Sequence, residues 1–193
     1  MTARAFIIVD VQPTFCEGGS LGVNGGHRIA ERIADFVNRN RDAYSLVVTT
    51  QDWHIDPGSH FSQSPDFKDS WPIHALAHTS EAELHPIIQA LDADVHVKKG
   101  EYSGAYSGFE GVDEDDHSLE EVLRSHHVEA VDIVGIAESH CVKETALDAQ
   151  RLGFVTRVLS DLTIPVSEEQ GVAAREEMEA AGISQIQSQM VVR

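Results

Sequence analysis

The sequence is short of positive charge, of cysteine and of long apolar runs, and each shortage removes a class of function. Lys and Arg number 14 against 32 Asp and Glu, a formal net charge of −18. A surface of that sign repels phosphate backbones and anionic headgroups, which argues against nucleic acid and membranes as partners. The lysines are Lys68, Lys98, Lys99 and Lys143; the acid excess suits plain solubility or a salt-adapted host. No apolar run approaches the roughly 20 residues of a membrane-spanning helix. Residues 6–9 are too few for the core of a secretory signal, so the expected location is the cytoplasm. The two cysteines, Cys16 and Cys141, lie far apart. In a cytosolic chain they are weighed as separate thiols, not as a disulfide.

What remains is an ordinary globular composition: 193 residues, 41% of them hydrophobic. That length fits one domain, residues 1–193, with room for a sizeable core. Short apolar runs at 5–9, 46–50, 95–98, 131–135 and 154–159 read as strands, with a sixth inside 183–192. Helical spacing marks 27–41, where Ile29, Ile33, Phe36 and Val37 share a face, and also 118–125, 140–152 and 167–181. Ser118 with Glu121, and Ser167 with Gln170, supply helix starts; Gly153 and Gly182 supply stops. Strand and helix alternate, which predicts an α/β fold: a doubly wound, six-stranded, mostly parallel sheet with helices on both faces. Two long irregular stretches, 51–83 and 100–116, are rich in aromatics (Trp53, Phe61, Phe67, Trp71, Tyr102, Tyr106, Phe109), which argues against disorder.

In such sheets ligands gather at the carboxyl ends of the strands. Asp10 ends the first strand, Gln51 and Asp52 follow the second, Lys99 the third, and residues 135–141 the fourth. Cys141 falls at the start of a predicted helix with Ser139 as its expected N-cap. Helix-end N–H groups, the dipole and a nearby Lys99 would each favour a thiolate. Position alone leaves Cys141 open between a nucleophile and a buried structural thiol. Asp10 is open between a general base and a strand-end tie. Cys16, in a glycine-rich loop, reads as a packed thiol. Asp52, His54 and His60, with His74 further on, form a set of donors suited to one divalent ion such as Zn, Fe or Mn. A hydrogen-bonding loop is the alternative. His78, His85, His96, His117, His126 and His127 fit no such pattern.

Four motifs in order carry a resemblance. They are Ile8-Val9-Asp10-Val11-Gln12 with Phe15-Cys16-Glu17-Gly18-Gly19-Ser20-Leu21; Asp52-Trp53-His54 through His60-Phe61 to Trp71-Pro72-Ile73-His74; Lys99-Gly100 with Ala105-Tyr106-Ser107-Gly108-Phe109; and Val134-Gly135-Ile136-Ala137 with His140-Cys141-Val142. Together the chain resembles the nicotinamidase (pyrazinamidase) family of isochorismatase-like cysteine hydrolases. The resemblance implies a catalytic triad of Asp10, Lys99 and Cys141. It implies metal ligands at Asp52, His54, His60 and His74, and an oxyanion hole at the backbone of Ala137 and Cys141. The Ile136–Ala137 peptide is expected to be cis. Phe15, Leu21, Trp71, Tyr106, Ala137 and His140 are expected to line the substrate pocket. The partner is then a small-molecule carboxamide, and the chain a monomer or small homo-oligomer. The chain departs from the family pattern at Ile73 and Ala75, where proline and cysteine are common, and at Glu138-Ser139, where Thr-Asp is common. Two other readings use the same residues: an amidase for another carboxamide or carbamoyl compound, and a metal- or redox-sensing binder. Ammonia release from nicotinamide, with and without chelator, separates all three.

Overall fold

The strand at Arg4–Val9 (β1) sets the plan of the molecule, described over residues 2–191 by a computed structural model. Every residue from Ala5 to Val9 is buried; Ala5, Ile7 and Val9 face one core, Phe6 and Ile8 the other. A run apolar on both faces is what a parallel strand covered on two sides requires. The other strands are β2 Leu46–Asp52, β3 Val95–Lys99, β4 Ala130–Ile136, β5 Val155–Ile164 and β6 Ser184–Ile186. They lie in the order β3-β2-β1-β4-β5-β6, and every pairing is parallel.

Helix α1, Gly26–Asn40, covers the Phe6/Ile8 face with Ile29, Ile33, Phe36 and Val37. Helices α3 (Leu119–Ser125), α4 (Lys143–Arg151) and α5 (Glu168–Ala180) bring Leu119, Leu123, Ala146 and Met178 to the opposite core. Ser118 and Glu121 close a reciprocal cap on α3, and Ser167 accepts from the Gln170 N–H at the start of α5. A single turn the sequence did not announce, α2 at Pro86–Gln89, is capped by the ring of His85. Among the described residues no helix is long and apolar enough to cross a membrane.

Three sequence expectations change. The helix expected from 140 is divided: Glu138–Val142 is a π-helical turn, and the α-helix begins at Lys143. Ser139 is therefore not an N-cap. Its Oγ accepts from the Val166 N–H at 3.1 Å and meets His140 Nδ1 at 2.9 Å. The chain is already turning at Ala137, whose carbonyl accepts from Val142 N–H at 3.1 Å, so the position needs no side-chain cap. Strand β5 runs five residues beyond its expected end because its pairing with β4 resumes after a register shift between Ile133 and Gly135. Strand β6 is three residues long, a short edge that offers little to a second sheet; Val192, inside its expected range, lies outside the described residues.

The chain steps outward from β1 to β2 to β3, then returns to β4 on the other side of β1. That reversal opens a crevice beyond the carboxyl ends of β1 and β4. The two strands meet closely there: Gly135 has φ +121°, and a Cβ on it would stand 2.0 Å from the Val9 carbonyl oxygen. Only glycine fits.

Candidate active site

Three neighbouring strand ends each deliver one charged side chain. Lys99 and Asp52 are paired residues at the ends of β3 and β2. Asp10 follows β1 in the left-handed region at φ 48°, with its N–H donating to the Thr50 carbonyl. A side chain seldom adopts that backbone, so the fold holds it there. Lys99 Nζ lies 2.9 Å from Asp10 Oδ2, donates to Asp52 Oδ1 and to the Ala105 carbonyl at 2.9 Å, and lies 3.8 Å from Cys141 Sγ. Thr50 Oγ1 donates to Asp10 Oδ1 at 2.7 Å. Cys141 arrives on the π-helical turn after β4, and Thr145 Oγ1 donates to its carbonyl at 2.6 Å. Asp10, Lys99 and Cys141, separated by many residues in sequence, thus meet in a buried cluster. The Ile136–Ala137 peptide is cis.

One ammonium serves two carboxylates, which sets the protonation states. Burial raises the Asp10 carboxyl above its usual value; Lys99 pulls it down and Asp52 pushes it up, and the net is a rise. Burial would likewise raise Asp52, but Lys99 outweighs it and holds that acid ionised. Lys99 is lowered by burial and raised by its acids, which win by a wide margin. The sequence had Lys99 lowering the thiol. It does so, yet burial comes first and the two acids oppose the lysine, so Cys141 stands well above its ordinary value. The resting group is a thiol beside a base, not a stored thiolate.

Adjoining this cluster are three imidazoles. Ligating atoms of His54, His60 and His74 lie within 4.8 Å of one another, and all three residues are buried. His54 Nδ1 donates to the Gly100 carbonyl at 2.6 Å, and His74 Nδ1 to the Pro72 carbonyl at 2.8 Å. Both rings therefore present Nε2 as a bare lone pair. Gly100 has φ +77°, and a Cβ there would press to 2.7 Å from the His54 ring. His54 Nε2 is buried with no hydrogen-bond partner. Asp52 Oδ2 stands 3.6 Å from it and 3.9 Å from His74 Nε2, outside the closest set but facing it. Burial drives His60 down to about 4 and also lowers His74, which keeps these rings neutral. Imidazoles converging on an unsatisfied space beside a carboxylate fit a borderline divalent cation.

A cavity of about 340 Å³ opens onto both groups. Its wall includes all six residues expected there: Phe15, Leu21, Trp71, Tyr106, Ala137 and His140. Trp71 Nε1 donates to the Tyr106 hydroxyl at 2.8 Å, and the Trp71 and His140 rings meet edge to face at 5.5 Å. Val23, Phe67 and Val166 also line it and were not singled out from sequence. Two further missed residues hold the strand ends. Thr50 bonds Asp10, and the Gln12 amide both donates to the Asp52 carbonyl and accepts from its N–H, each at 2.9 Å.

Comparison with known proteins matches the isochorismatase domain to residues 4–190. The nicotinamidase/pyrazinamidase of Mycobacterium tuberculosis is 52% identical over 180 residues, 93% of this chain and 96% of that protein. Among solved structures, the pyrazinamidase of Pyrococcus horikoshii in complex with zinc is 33% identical, with a TM-score of 0.81 over 95% of this chain and 98% of the other. The yeast nicotinamidase bound to the inhibitor nicotinaldehyde is 28% identical, with a TM-score of 0.82 over 95% and 99%.

Proposed function

The chain belongs to the isochorismatase family, and within it we propose a nicotinamidase that hydrolyses nicotinamide to nicotinate and ammonia through a thioester on Cys141. The observation that carries this reading is a buried cluster of thiol, acid and lysine beside three imidazoles, with Cys141, His60 and His74 on the wall of one cavity. The 52% identity to a nicotinamidase/pyrazinamidase supports the substrate class, and pyrazinamide, also an aromatic carboxamide, is expected to be accepted. The product suits pyridine nucleotide salvage.

Asp10 takes the Cys141 proton as sulfur attacks the carboxamide carbon. A raised carboxyl is the better base for a raised thiol, since proton transfer is easiest between groups of similar pKa. Lys99, fixed by Asp52 and Ala105, keeps its ammonium beside both reacting groups. The tetrahedral oxyanion rests on the backbone N–H groups of Ala137 and Cys141, and losing such donors costs about a hundredfold or more in rate. Asp10 then hands its proton to the departing ammonia. In the second half Asp10 accepts a proton from water, which attacks the thioester; nicotinate leaves and the thiol is restored. Phe15 and Trp71, both on the cavity wall, would flank the flat ring. His54, His60 and His74, with Asp52, would hold one divalent ion such as Zn, Fe or Mn, whose chemistry there is Lewis-acid binding of the ring nitrogen. The zinc bound by the Pyrococcus horikoshii pyrazinamidase supports that assignment.

Residues 1–193 are taken as one hydrolase domain, a monomer or small homo-oligomer in the cytoplasm, with a small carboxamide as its partner and neither nucleic acid nor membrane. The test is ammonia release from nicotinamide, benzamide and a ureido acid, each before and after chelation. Turnover of nicotinamide alone, lost on chelation and restored by a divalent ion, is the expected result. Turnover of benzamide at the same rate would remove the ring nitrogen from the recognition.

A further inference from the structure

Away from the cavity, a second set of metal-type donors converges. Cys16 Sγ and one ring nitrogen each of His27 and His85 lie within 4.8 Å of one another. They come from three separate pieces of chain: the loop after β1, the second residue of α1, and the cap of α2. His27 Nδ1 is 3.0 Å from His85 Nε2, His27 Nε2 is 3.0 Å from the Glu17 carbonyl, and His85 Nδ1 is 3.4 Å from the Ile87 N–H. A carbonyl only accepts and a backbone N–H only donates, so the tautomers follow. His27 holds its proton on Nε2 and leaves Nδ1 bare; His85 holds its proton on Nε2 and points it at that lone pair. Cys16 is wholly buried, and α1 opens with Gly26, on which a Cβ would come within 3.2 Å of Sγ. His27 is exposed, so the cluster is reachable from solvent.

We propose that Cys16, His27 and His85 form a second metal site, selective for a zinc-like divalent cation and separate from the His54/His60/His74 group. One thiolate and two imidazoles are a donor set for zinc and its borderline neighbours and a poor one for magnesium or calcium. The His27 hydrogen bond to Glu17 already orients its ring as an outer-shell partner does for a ligand. On binding, the ion takes the place of the proton shared between the rings. Sulfur, His27 Nδ1 and His85 Nε2 bond to it. The thiol proton leaves to solvent, and the His85 proton moves from Nε2 to Nδ1, giving up the long contact with Ile87 N–H. No electrons are transferred, and a fourth position stays open to water. Because the ion displaces the thiol proton, binding weakens as the medium becomes more acidic. The ion would tie the loop that carries Phe15 and Leu21 on the cavity wall to both α1 and α2. None of this depends on which amide the enzyme hydrolyses.

The test is a Co²⁺ titration of the holoprotein with its first ion in place. We expect a second equivalent to bind with a sulfur-to-cobalt charge-transfer band, release of one proton per ion, and a rise in Tm. His54, His60, His74 and Asp52 offer no sulfur, and the Cys16 and His27 variants separate a band from Cys16 from one due to the other thiol, Cys141. Cys16→Ser and His27→Ala should each abolish the band and the second equivalent, while the first equivalent and ammonia release persist. His27 is exposed, so its variant keeps the test decisive even if Cys16→Ser folds poorly. A single equivalent in the unaltered protein, or a band that survives His27→Ala, would overturn the proposal.

Discussion

Asp10, just after one central strand of the sheet, and Asp132, within the other, are both wholly buried carboxylates, yet their surroundings differ in kind. Asp132, inside β4, accepts from Arg4 at 2.7 Å, from Arg157 through two bonds at 2.7 and 2.6 Å, and from the Tyr44 hydroxyl at 2.7 Å. Two guanidiniums serve one acid. Asp10, just past the end of β1, shares a single ammonium with Asp52 and stands by a thiol. Burial of a charge therefore does not by itself mark a reactive site. The ratio of partners to charges does: the saturated acid is structural, and the under-served one keeps a pKa free to rise and a proton to exchange.

Exchanging each acid for its amide breaks the comparison most sharply. Asp10→Asn should lower kcat by on the order of 10²–10⁴ while leaving Tm nearly unchanged, since Lys99 keeps Asp52. Asp132→Asn should do the reverse. It leaves two half-buried guanidiniums without their buried acid and costs roughly 3 kcal/mol, read by denaturant unfolding, with kcat per folded molecule intact. Equal loss of activity in both variants would erase the distinction.

Acidity sharpens it further. The acid limb of kcat/KM should lie above the ordinary aspartate value of 3.8, because burial lifts Asp10. The same shift has a definite sign in stability. The folded protein holds that proton more tightly than the unfolded chain, so this contribution is lost as pH rises from 3.8 through the raised value. Asp10→Asn should remove that decline, and Asp132→Asn should leave it. The smallest expected effect is on the cavity wall. Tyr106→Phe deletes the Trp71 hydrogen bond and an exposed one to the Lys68 carbonyl, and should raise KM about fivefold, in line with about 1 kcal/mol for the bond on the cavity wall, with kcat little changed.

The architecture was legible because the strands are apolar runs and the helices carry periodic faces. Asp10, Asp52, Lys99 and Cys141 fall at strand ends by topology alone, but position left Asp10 and Cys141 open and only the family resemblance implied their roles. What escaped is what the sequence does not encode locally. Ser139 looks like a helix cap, but the π-helical turn moves the helix start to Lys143. Thr50 and Gln12 look like ordinary residues until three strands bring them to the acids they hold. Cys16 was read as a packed thiol, and it is buried; its two histidine neighbours come from a helix start and a four-residue helix cap that no spacing rule connects. The thiol is raised where strand-end position and Lys99 suggest a thiolate, because burial disfavours the anion and the two neighbouring acids oppose the lysine.

The most direct test of the central claim is turnover by Cys141→Ala, measured as ammonia release together with bound-metal content. The account predicts no release above background, with metal stoichiometry and fold unchanged. Sustained release of nicotinate from that variant would mean that water, not sulfur, attacks the amide, and the covalent mechanism would be wrong.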